Sequence, residues 1–521
     1  MKQHFFMLLL VVLAQQILAQ SKTAGPGGLV VGTTNGRLQG AMDGPLVRVF
    51  RGIPFAAPPL GSLRWKAPQP VKSWKGIRPA TRFGPRPHQR QRYDDMIFRS
   101  PAESEDCLYL NVWAPATASG KPLPVLVYFY GGGFSSGDGS EARYDGRRLA
   151  ENKVIMVTVN YRLGLFGFFV HPELTAESRF GASGNYGLLD QHAALQWVKK
   201  NIAAFGGDPG RITIGGESAG SMSVSAQVAS PLSKGLFHAA IAQSGSLLGN
   251  DWLTARAKAE KYGLDFQKRA GVASLAALRR LPAARLHKLA ADFWFPPVID
   301  GYFLPEHPLQ LYSTGRQLDI PLMAGWTTAE RAAGAVLENA KPTVANYRKA
   351  VDRLYGPLAA GILEIYPASQ DSLVERMATA LASDRFIAYG TWKLIDVHSK
   401  TNGFPVYQYL FARKRTGFKG PGADYNNPFG AVHASDIEYA LANLDQNTRY
   451  AWQPADQQAS ETWFRYLLNF LRSGNPNGTG LAEWPGLRSS IPKVMVIDSV
   501  SHALPEPHGK RYSQLDQLLH P

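Results

Sequence analysis

Between residues 211 and 228 the chain runs from a short apolar stretch into a helix-compatible one through Gly216-Glu217-Ser218-Ala219-Gly220. Arg211 to Gly215 reads as a strand and Ser221 to Val228 as a helix. A serine on so tight a turn takes a strained backbone conformation, and only glycines at the flanking positions avoid a clash. The junction therefore calls for a strand whose end opens directly onto a helix, the repeating unit of a parallel α/β sheet. Other apolar runs agree: Val125 to Tyr130, Val154 to Asn160, Ala239 to Ser244, Pro321 to Gly325 and Val406 to Phe411 read as buried parallel strands. Helical patterns lie between them. Leu188, Leu195, Val198 and Ile202 share one face before Gly206-Gly207, and Trp463, Leu467 and Leu471 form a second stripe closed by Gly474-Asn475-Pro476. Residues 250 to 295 and 330 to 400 are helix-rich insertions, expected to cover the C-terminal edge of the sheet, where ligands bind in such folds.

With 521 residues, 45% apolar and 18% charged, the chain can bury a large core without cross-links. Residues 1–19 read as an export signal: Lys2 gives the positive end, Phe5 to Leu13 the apolar run, and Ala19 the small residue before a cleavage point. Residues 20–521 are then expected to be one α/β domain in the periplasm or outside the cell. That apolar run is too short to span a bilayer, and no later stretch is long enough. The single cysteine, Cys107, excludes an intramolecular disulfide, thiolate zinc clusters and CxxC redox chemistry. The formal charge of +16 is spread along the chain, without a polybasic block or a nucleic-acid module, so no specific nucleic-acid partner is expected. The densest basic patch, Arg86 to Arg92, reads as an exposed loop.

A serine nucleophile needs donors for the charge that develops on a carbonyl oxygen. Tyr130-Gly131-Gly132-Gly133-Phe134 follows a strand, and its glycines let backbone N–H groups approach such an oxygen. Gly132, Gly133 and the N–H of Ala219 are the expected oxyanion hole. A base and an orienting acid complete the set in the order Ser, acid, His. Glu330 follows the strand Pro321 to Gly325, and His433 lies in Gly430-Ala431-Val432-His433-Ala434-Ser435-Asp436. Spacing alone does not select His433 from the other histidines.

The sequence resembles the type-B carboxylesterases, which include bacterial para-nitrobenzyl esterases and, more distantly, the cholinesterases. The marks are Phe50 to Ala56, Glu105 to Val112, Gly131 to Phe134, Asn160 to Gly164, Gly206 to Pro209, Gly215 to Gly220 and Gly430 to His433. The resemblance implies the α/β-hydrolase fold, hydrolysis of small-molecule carboxylic esters, and Ser218, Glu330 and His433 as the triad. It implies no metal or organic cofactor. Asp436 is the alternative orienting acid, and Glu217 reads as a buried structural carboxylate. Many family members pair the cysteine at position 107 with an upstream one, but residues 84–98 hold none, so Cys107 is expected to be free and buried. The same loop holds no tryptophan, which argues against choline esters. Arg331 follows the acid where many relatives have glycine. Trp252 and Phe293-Trp294-Phe295 are expected to wall the acyl side of the pocket, and Arg64 and Glu105 to form a buried pair. An amidase, carbamate hydrolase or lactonase would use the same residues, and a non-catalytic binding module is the remaining alternative. Oligomeric state is not legible.

Overall fold

The computed structural model describes residues 28–90, 95–117, 119–249, 252–419, 427–488 and 492–520. The segment read as an export signal and residues 91 and 92 of the basic patch lie outside the described residues.

An eleven-stranded sheet forms the frame. In chain order its strands are β1 (Ala41–Met42), β2 (Val47–Pro54), β3 (Tyr109–Pro115), β4 (Leu123–Phe129), β5 (Ile155–Val159), β6 (Gly207–Glu217), β7 (Ala239–Gln243), β8 (Leu322–Thr327), β9 (Val406–Phe411), β10 (Lys493–Ile497) and β11 (His502–Pro505). Across the sheet they run β11-β10-β9-β8-β7-β6-β4-β5-β3-β2-β1. The strands from β5 to β10 in that order are mutually parallel, with antiparallel strands on both edges.

The parallel strands are those legible as apolar runs. Every residue of β4, β5, β7, β8 and β9 is buried, because helices cover both faces of such a sheet. The strands towards the two edges are less legible: β2 carries Arg48 and Arg51 within it, and β10, the last of the parallel set, is a five-residue run between Pro492 and Asp498. Helix Tyr186–Asn201 buries Leu188, Leu195 and Val198, then tightens into a 3₁₀ turn at Ile202–Phe205 that Gly206 ends at φ +92°. Helix Pro454–Ser473 buries Trp463, Leu467 and Leu471 and stops at Gly474, φ +73°. Helix Ala219–Ala229 is buried along its whole length, as expected for the helix that leaves the centre of the sheet.

The described part of the stretch from Arg86 is only partly the exposed loop its charge suggested: Arg90 is exposed, but Pro87 and Gln89 are buried and Arg86 and His88 half-buried. Gln89 is buried, accepting from the Gly137 N–H (2.7 Å) and donating to the Gly137 carbonyl (2.8 Å). Arg86 pairs with Glu103 at 3.5 Å. The polar glutamine anchors the loop against the glycine-rich segment, and Arg86 is half-buried beside it. Cys107 is free and buried, and burial raises its thiol well above the ordinary value.

Two buried ion pairs tie loops to this frame. Arg64 holds Glu105 through two bonds of 2.5 and 2.6 Å and also donates to the carbonyls of Arg279 and Leu281 (2.7 Å each), joining an N-terminal turn to the first insertion. Arg162, just beyond β5, donates twice to Asp190 at 2.7 and 2.8 Å, and its N–H adds a third bond at 3.0 Å. With side-chain exposures of 3% and 0%, neither charge has water to fall back on. Replacing Asp190 with Ala should therefore lower the unfolding free energy by about 3–5 kcal/mol in chemical denaturation, because the guanidinium is left buried and unpaired. A loss below about 1 kcal/mol would show that the pair does not hold helix Tyr186–Asn201 in place.

Candidate active site

β6 ends at Glu217, and the chain turns at Ser218 with φ +56° and ψ −122° before entering helix Ala219–Ala229. The turn leaves no room for side chains beside it. A Cβ on Gly220 would lie 2.0 Å from the Phe129 carbonyl oxygen, and one on Gly216 would lie 2.5 Å from Gly220 backbone atoms. A non-glycine residue in this region of backbone space costs about 1–3 kcal/mol, which the surrounding packing must offset. Bonds on both sides hold it: the Ser218 N–H donates to the Gln243 carbonyl (2.9 Å), and the Ser218 carbonyl accepts from Met222 (2.8 Å). The hydroxyl caps nothing. It lies instead 3.0 Å from His433 Nε2.

His433 and Glu330 come from two loops that a backbone bridge joins. The Ala329 N–H donates to the Ala431 carbonyl (2.8 Å), and the Ala431 N–H donates to Thr328 Oγ1 (2.8 Å). This sets Glu330 Oε2 2.5 Å from His433 Nδ1. The other carboxylate oxygen accepts from Ser244 Oγ (2.6 Å) and from the Thr327 N–H (2.8 Å). Ser244 itself sits at φ +52° at the end of β7. Asp436, the alternative acid, turns elsewhere: it accepts from Gln243 (2.9 Å) and Tyr409 (2.9 Å).

Glu217 is buried, with Oε1 3.2 Å from His433 Nε2. Burial pushes its carboxyl up to about 8. For His433, burial opposes the charged form, but the carboxylates of Glu217 and Glu330 outweigh it and raise the imidazole to about 9. Glu217 thus faces the same nitrogen as Ser218, which the sequence did not suggest for a structural carboxylate.

Above Ser218 lies a cavity of about 440 Å³. Gly131 and Gly132 form part of its floor, and Met96, Tyr144, Ala329, Arg331, Thr379, Arg415, Val432 and Tyr450 contribute to its walls. Gly132 and Gly133 take φ +109° and +62°, and a Cβ on Gly132 would strike the Ser136 carbonyl at 2.3 Å. Among the described residues the N–H groups of Gly132, Gly133 and Ala219 meet no hydrogen-bond acceptor.

The chain belongs to the carboxylesterase family. That family's sequence pattern matches residues 27–511. The chain is 38% identical to a fumonisin B1 esterase of Sphingopyxis macrogoltabida over 429 residues, 80% of this chain and 75% of the relative. It is 34% identical to the para-nitrobenzyl esterase of Bacillus subtilis over 507 residues, 93% of this chain and 98% of that protein. A solved carboxylesterase of Geobacillus stearothermophilus superposes with a TM-score of 0.81 at 33% identity, covering 94% of this chain and all of that one. The protein accordingly has the α/β-hydrolase fold and is a serine hydrolase of carboxylic esters.

The structure does not bring the four expected acyl-side aromatics to this carboxylesterase's cavity. Phe293 and Phe295 pack with Phe266 at ring separations of 5.2 and 5.8 Å, and Phe295 is buried. Trp294 is 47% exposed. Packing Phe295, and half-burying Phe293, in a shared aromatic cluster removes apolar surface from water away from the cavity. Trp252 comes nearer, packing edge-on against Phe386 at 6.1 Å, and Phe386 in turn meets the His433 ring edge-on at 5.0 Å. Phe386, in a π-helical turn (Asp384–Ala388) within the second insertion, carries no local sequence signal that would have marked it.

If the raised imidazole must lose its proton for turnover, the acidic limb of kcat/KM should lie above the ordinary histidine value of about 6.5. Glu217→Gln removes a carboxylate that favours imidazolium, so the limb should move to lower pH by about one unit. A limb that stays in place or moves upward would contradict this electrostatic reading.

Proposed function

We propose that Ser218 attacks the ester carbonyl, with His433 as general base and then general acid and Glu330 as the acid that orients it. The continuous path from Ser218 Oγ through both ring nitrogens of His433 to Glu330, opening on the cavity, carries this reading. His433 Nε2 takes the hydroxyl proton as the tetrahedral intermediate forms and returns it to the leaving alcohol. Water, deprotonated by the same nitrogen, then hydrolyses the acyl-enzyme. Glu330 keeps Nδ1 protonated and so leaves Nε2 free to accept. Its own position is held by Ser244 and Thr327 on its second oxygen. The N–H groups of Gly132, Gly133 and Ala219 form the oxyanion hole. Their lack of other acceptors supports that role, since donors already committed elsewhere would have to reorganise at the moment of reaction.

Within this reading residues 20–521 act as one domain, exported after removal of residues 1–19, on small-molecule esters. Trp252 contributes to the acyl side through Phe386 rather than by direct contact.

Ser218→Ala should lower turnover of para-nitrophenyl esters by several powers of ten while the protein stays folded, leaving only the rate due to binding and the oxyanion hole. Glu330→Gln should lose most of its turnover as well, because the amide no longer stabilises the imidazolium. A Ser218→Ala protein that kept most of its activity would overturn the mechanism.

A further inference from the structure

Three arginines line the cavity above Ser218, and two of them are spoken for. Arg143 lies 2.7 Å from Glu141 and 3.1 Å from Asp95. Arg415 lies 2.8 Å from Glu438 and 3.5 Å from Asp95. Arg331 differs. Its backbone is clamped to Ser383, whose hydroxyl accepts from the Arg331 N–H (3.1 Å) and donates to the Arg331 carbonyl (3.3 Å). Its guanidinium carbon sits 4.9 Å over the Phe386 ring, the ring that meets His433. No carboxylate pairs with it among the described residues.

A guanidinium held by its backbone and by one aromatic face keeps its fork of N–H donors available, and a carboxylate matches that fork bidentately. We propose that Arg331 receives an anionic group of the substrate, so that the preferred esters carry a free carboxylate in the same molecule as the scissile carbonyl. This rests on the reading of Ser218 as the nucleophile that acts in this cavity. The carboxylate can belong to the acyl part or to the alcohol part, and both place a negative charge in one cavity with the ester. Glu375, on helix Asp371–Ser383, lines the same cavity and opposes such a charge. Arg331 therefore sets a preference that Glu375 limits.

The test compares matched esters. For the acyl side these are the 4-nitrophenyl monoester of adipate and 4-nitrophenyl hexanoate; for the alcohol side, 4-acetoxybenzoate and its methyl ester. In at least one pair the wild type should favour the anionic member, with a preference that weakens as ionic strength rises. Arg331→Met keeps an apolar arm for Phe386 without the charge. It should cut that preference by about tenfold, a loss expected for a charged hydrogen bond. Arg331→Lys should lose less, and Glu375→Gln should increase the preference. Preference for the neutral member in both pairs, or an Arg331→Met preference within fivefold of the wild type, would overturn the proposal. Calorimetric titration of adipate into Ser218→Ala protein, with and without Arg331→Met, reads the anion site without turnover. Weaker adipate binding in the double variant supports the site even if the nucleophile is misassigned, and equal binding overturns it.

Discussion

Ser218 is held in a conformation that its own backbone disfavours, and the centre of the molecule is arranged around that fact. The turn exists because β6 delivers the chain into a wholly buried helix with no linker, and because Gly216 and Gly220 let the neighbouring carbonyls come within contact. Bonds from β7 and from the first helical turn fix it. The hydroxyl then stands at the C-terminal ends of the parallel strands, where β8 and the loop after β9 supply the acid and the imidazole. Strain at this point is thus stored against the packing of the whole sheet rather than against one contact.

Electrostatics give the site a second level of organisation. The half-buried imidazole faces two buried carboxylates, one on each nitrogen. Glu330 holds the ring in a useful tautomer. Glu217 faces the other nitrogen beside the serine, and burial raises its carboxyl. The same closeness that orients the base therefore also resists its deprotonation.

Much of the fold was legible because parallel strands buried on both faces must be apolar throughout. The strand–turn–helix at Ser218 was legible for a different reason: only small residues fit there. His433 and Glu330 were not selected by spacing, since each lies in a loop whose place depends on pairing between distant segments; resemblance to a family supplied them. The pocket walls were the least legible. Phe293 and Phe295 look the same in sequence whether they face a cavity or one another, and only tertiary contacts bring Phe386 to His433 and Arg143 and Arg415 to the cavity. The glutamine that anchors the loop near Arg86 was hidden in the same way.

The backbone bridge between Ala329 and Val432 has an evolutionary consequence. It ties the turn after β8 to the loop after β9, so the helices between Arg331 and the start of β9 form an excursion whose two flanking strands are already joined in the sheet and at this bridge. Apart from Ser383 and Phe386, which touch Arg331 and His433, changes in the helices of that excursion leave the bonds that hold the acid and the imidazole in place. Chemistry and selectivity thus sit on separable parts of one chain, and a lineage can exchange its substrates by rewriting the excursion while the reacting atoms keep their places.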